Sequence, residues 1–84
     1  MSLQKFIRAS TAQSALALPK SSFYAHIEEG LLPPPIRLGK RSVGWLESEI
    51  NAVIRARIQN RSDDEIKVLV QCLVDQRKNL IEGS

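Results

Sequence analysis

Residues 16–30 read "LALPKSSFYAHIEEG", and two helix signals meet inside them at Leu18-Pro19. Proline fits the first turn of a helix, where its missing N–H costs nothing, so Pro19 predicts a helix over residues 19–29. Phe23 and Ile27 are four apart and share a face of that helix. Gly30 tolerates the left-handed conformation at a helix stop. Upstream, Ser10 and Gln13 have the spacing of a capping box, which predicts a first helix over residues 11–17 with Ala12 and Leu16 on one face. Two helices joined across so short a break form a helix-turn-helix.

Downstream, Leu31 and Leu32 are placed to cover the end of the second helix. Three prolines at 33–35 then set an extended path. The segment "PIRLGKRSVGW", residues 35–45, reads as a hairpin with strands over 36–38 and 43–45 and Gly39 at the turn. Ile36, Leu38, Val43 and Trp45 alternate, which predicts one hairpin face packed on the helices. Arg37 then faces outward, and Lys40 and Arg41 project from the tip. On its own, such a tip is a charged turn that keeps an exposed hairpin soluble. Beside a helix-turn-helix it becomes a candidate wing, able to follow a phosphate backbone or enter a minor groove.

Leu46, Ile50, Val53, Ile54 and Ile58 fall on one face of a third helix over residues 46–58. Glu47 and Glu49 near its start and Arg55 and Arg57 near its end suit the helix dipole. In "NRSDDE", residues 60–65, Ser62 and Glu65 form a second capping box, and Asp63 and Asp64 add negative charge to the first turn. A fourth helix over residues 63–81 carries Ile66, Leu69, Val70, Leu73, Val74, Leu80 and Ile81, with Val68 and Cys72 widening the stripe. It packs on the rest of the domain, and its breadth also suits pairing with a second protomer.

The chain has 84 residues and a net charge of +3. That length suits one domain, burying about 60–65% of its unfolded surface. Residues 1–45 hold six basic and two acidic groups, residues 46–84 six basic and seven acidic. The first half is therefore the part suited to a polyanion. A lone Cys72 forms no internal disulfide and reads as a small packing residue. No apolar run approaches the ~20 residues of a membrane span, and "MSLQKFIRAS" lacks the apolar core of a signal peptide, so a cytoplasmic location is expected. One histidine and one cysteine supply no metal set. No Ser/His/Asp set, paired carboxylates or phosphate loop is present, so neither an enzyme nor a cofactor is expected.

The run "LPKSSFYAHIEEGLLPPPIRLGKRSVGWLESEINAVI", residues 18–54, resembles the AlpA family of prophage regulators. That family sits among the excisionase- and MerR-like winged-helix DNA-binding domains. The resemblance extends over about residues 7–58. It implies a mainly α fold with a small β-hairpin, a winged helix-turn-helix over residues 1–60; residues 61–84, outside the resemblance, follow as a long C-terminal helix. It implies a sequence-specific transcriptional regulator of phage origin whose partner is double-stranded DNA. An excisionase-like recombination directionality factor is the alternative, and a protein-interaction adaptor a more distant one.

In that setting the helix bearing Lys20, Ser21, Ser22 and Tyr24 is the recognition helix, and residues 37–42 are the wing. Pro19 stands where relatives commonly carry a polar cap. Side chains near a helix start read base edges in the major groove, where Lys20 approaches guanine O6 and N7. The serine hydroxyls serve base edges or phosphates, and the Tyr24 hydroxyl reaches a phosphate. His26 is expected on the surface or facing the groove. If Lys20, Arg37, Lys40 and Arg41 each neutralise one phosphate, log K falls against log[salt] with a slope of about −3.6.

Overall fold

The computed structural model describes residues 4–82, with side chains as far as residue 78. Its elements are β1 (Phe6–Ile7), α1 (Ala9–Leu16), α2 (Lys20–Glu28), β2 (Ile36–Arg37), β3 (Val43–Leu46), α3 (Glu47–Ile58) and α4 (Asp63–Glu82). Mainly α with a small antiparallel sheet, it carries a helix-turn-helix, a hairpin and a long final helix, as the sequence pattern implies.

The three helices that precede other elements end the same way. After α1, Ala17 turns left-handed at φ 55°. Its N–H bonds Ser14 O at 3.2 Å, and Leu18 N–H bonds Gln13 O at 3.0 Å. After α2, Gly30 adopts φ 82°, with Gly30 N–H on Ile27 O and Leu31 N–H on His26 O. After α3, Asn60 adopts φ 58°, with Asn60 N–H on Arg57 O and Arg61 N–H on Ala56 O. Each is a Schellman closure that satisfies otherwise orphaned carbonyls. Only Gly30 announces itself by residue type.

Helix starts differ from the sequence reading in three places, one being α3, which begins at Glu47 with Leu46 as its N-cap. The first helix begins at Ala9, not residue 11, with Arg8 as N-cap and no side-chain cap bond. Ser10 is inside the helix, so the expected Ser10–Gln13 box does not form. The cause is β1: Phe6 pairs with Leu46 and Ile7 with Trp45, so the chain leaves the sheet at Ile7 and turns helical two residues early. Pro19 is the N-cap of α2 rather than its first helical residue, at φ −67° and ψ 162°. The Ser62–Glu65 box does form: Glu65 N–H donates to Ser62 Oγ at 3.2 Å, and Ser62 N–H to Glu65 Oε1 at 3.0 Å.

The sheet order is β1-β3-β2, with both outer strands antiparallel to β3. Ile36 pairs with Gly44 and Arg37 with Val43, and directly paired residues share a face. Ile36 and Leu38 therefore lie on the face opposite Val43 and Trp45. The expectation of a single apolar hairpin face is corrected by this register. Arg37 shares the face of Trp45 rather than pointing away from it. Leu38 and Val43 remain 41% and 42% exposed, while Trp45 is fully buried. Leu38 lies over Gly44, where an added Cβ would meet Leu38 Cδ1 at 2.9 Å and Ile7 O at 3.2 Å. Glycine at this position lets β1 and the wing strand close over one another.

The core gathers Ala12, Phe23, Leu31, Leu32, Trp45, Ile50, Val53, Ala56, Ile66 and Val70. Phe23 meets Trp45 edge-on, ring centroids 5.2 Å apart. That contact anchors α2 to the sheet, and burying each such ring stabilises by about 1.5–3 kcal/mol. Leu31 and Leu32 cover the end of α2, as their position implies. Ile58, expected on the core face of α3, is 73% exposed at the last residue of the helix. Leu46 caps α3 as the last residue of β3. On α4, Ile66 and Val70 are buried and Leu69, Leu73 and Val74 half-buried, but Val68 and Cys72 are exposed. Cys72 is thus a surface thiol and not a packing residue: it lies opposite the face that Ile66 and Val70 turn to α3. The side chains of Leu80 and Ile81 lie outside the described residues.

Candidate nucleic-acid interface

The turn at residues 17–19 sets α2 across α1, and Phe23 fixes its roll. With Phe23 buried and Ile27 half-buried, Lys20, Ser21, Tyr24, Ala25 and Glu28 are all exposed. Lys20, Ser21 and Tyr24 sit on one outward face, with Ser22 half-buried at its edge. Tyr24 is 41% exposed, its ring edge-on to Phe23 with centroids 5.2 Å apart. The contact steadies the ring and leaves the hydroxyl end outward. Pro19 provides no side-chain acceptor, and Phe23 N–H is the first amide taken up, by Pro19 O at 2.9 Å. The amides of the preceding turn stay available to an acceptor from outside.

His26, expected on the surface or facing the groove, is half-buried and lines a shallow pocket of about 320 Å³ with Leu16, Leu18, Leu32, Val53 and Arg57. Glu28 and Glu29 are exposed at the far end of α2, where a carboxylate repels phosphate. The start of the helix is its end without exposed carboxylates.

The wing tip is closed by Leu38 N–H and Gly39 N–H, both on Ser42 O at 2.8 and 3.3 Å. Arg37, Lys40 and Arg41 are exposed. The ion pairs among the described residues lie elsewhere: Lys5–Glu47, Arg57–Asp63, Arg61–Glu65 and Arg77–Glu49. Lys20, Arg37, Lys40 and Arg41 pair with no carboxylate among the described residues.

The hairpin hangs from "PPP". Prolines lack an N–H, and two successive carbonyls here receive side-chain donors. Trp45 Nε1 donates to Pro33 O at 3.0 Å, and Arg77 Nη2 to Pro34 O at 2.9 Å. Sequence reasoning named neither contact. Its one available signal was an acidic Glu49 three residues after Leu46 on an otherwise apolar face.

Among the described residues no group of three or more His, Cys, Asp or Glu side chains could hold a metal ion. No helix among them is long and apolar enough to cross a membrane.

A helix-turn-helix whose second helix presents a polar first turn, followed by a β-hairpin with a basic tip, defines a small winged helix-turn-helix domain. The family model of the prophage CP4-57 regulatory protein AlpA matches residues 5–58. The chain belongs to this AlpA family, a family of phage regulatory proteins. It is 34% identical over 58 residues to the uncharacterized protein ORF88 of Enterobacteria phage P4, covering 69% of this chain and 66% of that protein. No solved structure matches the chain. α4 lies beyond the matched residues.

Proposed function

We propose that this protein is a sequence-specific DNA-binding transcriptional regulator that inserts α2 into the major groove and lays its wing on the neighbouring backbone or in the minor groove. One observation carries the reading. Among the described residues the ion pairs take up Lys5, Arg57, Arg61 and Arg77, while every cation of α2 and the wing, Lys20, Arg37, Lys40 and Arg41, is exposed and unpaired, as Arg8, Arg55, Lys67 and Lys78 are elsewhere. Free donors on the wing and on the first turn of α2, at the end opposite Glu28 and Glu29, suit phosphate.

Lys20 reads a guanine edge, and Ser21 and Ser22 take base or phosphate positions. The Tyr24 hydroxyl donates to a phosphate. Arg37, Lys40 and Arg41 supply the wing's charge. One such module gives modest specificity, so two or more copies on repeated or inverted half-sites act together. On α4, Val68 and Cys72 are exposed apolar positions among the described residues and are offered to a second copy.

Selection of bound duplexes from a random pool tests the reading. A recurring sequence is expected, and binding of it weakens strongly in the Lys20→Ala/Arg41→Ala variant. Absence of duplex binding at low salt would overturn the proposal in favour of a protein-interaction role. Footprints at promoters support transcriptional control, whereas footprints confined to phage attachment-site arms would reassign the protein as a recombination directionality factor.

A further inference from the structure

The guanidinium of Arg77 joins three parts of the molecule. From α4, its Nε donates to Glu49 Oε2 at 2.9 Å and its Nη2 to Glu49 Oε1 at 2.6 Å. The same Nη2 donates to Pro34 O at 2.9 Å. The Glu49 side chain is 4% exposed and that of Arg77 18%. A planar fork can hold both carboxylate oxygens and still direct an N–H to a third acceptor, which a lysine ammonium on a flexible stem does poorly.

Pro34 stands two residues before β2, with Pro35 between them. A proline there has φ fixed near −65°, so the orientation of the Pro34 carbonyl passes directly into the direction of the hairpin. The Trp45 indole holds the preceding carbonyl from inside the sheet. Arg77 holds the next one from α4, an element outside the residues that the family shares.

We infer that Arg77 is the positioning residue of the wing: through Glu49 and the Pro34 carbonyl, α4 sets where Arg37, Lys40 and Arg41 stand relative to α2. The inference rests on the DNA-binding reading for its consequence, but not for its geometry. It makes α4 part of the DNA-binding unit rather than an appended helix.

The test compares the 84-residue chain with Glu49→Met/Arg77→Met, which removes both charges together and leaves neither charge unpaired, and with Arg77→Lys, which keeps the charge and loses the fork. Amide exchange needs no DNA. The Leu38 amide is expected to exchange about tenfold faster in both variants, with the Phe23 amide of α2 unchanged. On the selected duplex, the loss caused by Arg41→Ala is expected to shrink about threefold or more in the Met/Met background. Unchanged Leu38 exchange, or equal acceleration at Phe23 and Leu38, would overturn the inference. So would an Arg41→Ala effect of full size in the Met/Met background. If no chain binds duplex DNA, the functional reading falls while the exchange data still decide the positioning.

Discussion

Inside the core, the indole N–H of Trp45 donates to the carbonyl of Pro33 at 3.0 Å, with both side chains fully buried. The strand that carries the wing is thereby tied to the segment that leads into it. Trp45→Phe keeps most of the apolar contact and leaves the Pro33 carbonyl without its donor, at a cost of about 1–3 kcal/mol. Urea unfolding should show a lower midpoint with an unchanged slope.

Gly44 allows no side chain without movement. A Cβ there would lie 2.9 Å from the flexible Leu38 Cδ1 and 3.2 Å from the fixed Ile7 O. Gly44→Ala is expected to destabilise by about 1–3 kcal/mol. Adding Leu38→Ala should recover part of that loss, because it relieves the side-chain contact and not the one with the β1 backbone. Full recovery in chemical denaturation would show that the backbone contact costs nothing.

Ala17 holds a left-handed conformation, φ 55°, that glycine adopts without strain. Ala17→Gly gains the relief and loses some unfolded-state restriction. A net stabilisation of about 0.5 kcal/mol is expected, read as a small rise in Tm.

The Glu65 carboxyl is held below the ordinary carboxylate value, first by the backbone N–H of Ser62, then by the Arg61 guanidinium and the Ser62 hydroxyl. A depressed folded value means that its contribution is fully present above the unfolded value of about 4.3. It is lost as pH falls through the lower folded value. The stability difference between the parental chain and Glu65→Gln should therefore vanish in acid and be full at neutral pH. At neutral pH, Ser62→Ala should cost about 1 kcal/mol through loss of the cap.

Salt dependence separates phosphate contacts from base contacts. Removing Lys40 or Arg41 should make the slope of log K against log[salt] shallower by about 0.9 each. Base preference should stay unchanged. Lys20→Ala should alter which duplexes are preferred, a change visible in repeated selection.

Much of this molecule is local in origin. Proline at 19, glycine at 30 and the Ser62–Glu65 spacing are effects of one turn of chain on itself, so residue type alone announces them. The apolar spacing of Ile50 and Val53, and of Ile66 and Val70, places two helix faces for the same reason. The exposed character of Lys20, Ser21, Lys40 and Arg41 follows from these elements, since Phe23 and Trp45 claim the inward positions.

Other features exist only between distant segments. A two-residue β1 has no periodicity of its own and forms because β3 offers it partners, which also moves the start of α1. Strand register decides faces by parity, and a pairing of Ile36 with Gly44 puts Ile36 and Val43 on opposite sides. Cys72 and Ile58 look like core by spacing, but Ile58 is the last residue of α3 and Cys72 faces away from Ile66 and Val70, and both are exposed. Glu49 and Arg77 are 28 residues apart, and nothing local requires them to meet. A helix-turn-helix, a basic hairpin tip and two further helices were legible from residue order, because those depend on short-range geometry. Tertiary structure alone decided that Arg77 reaches Glu49 and Pro34, because a buried carboxylate takes its partner from whatever element packing brings over it.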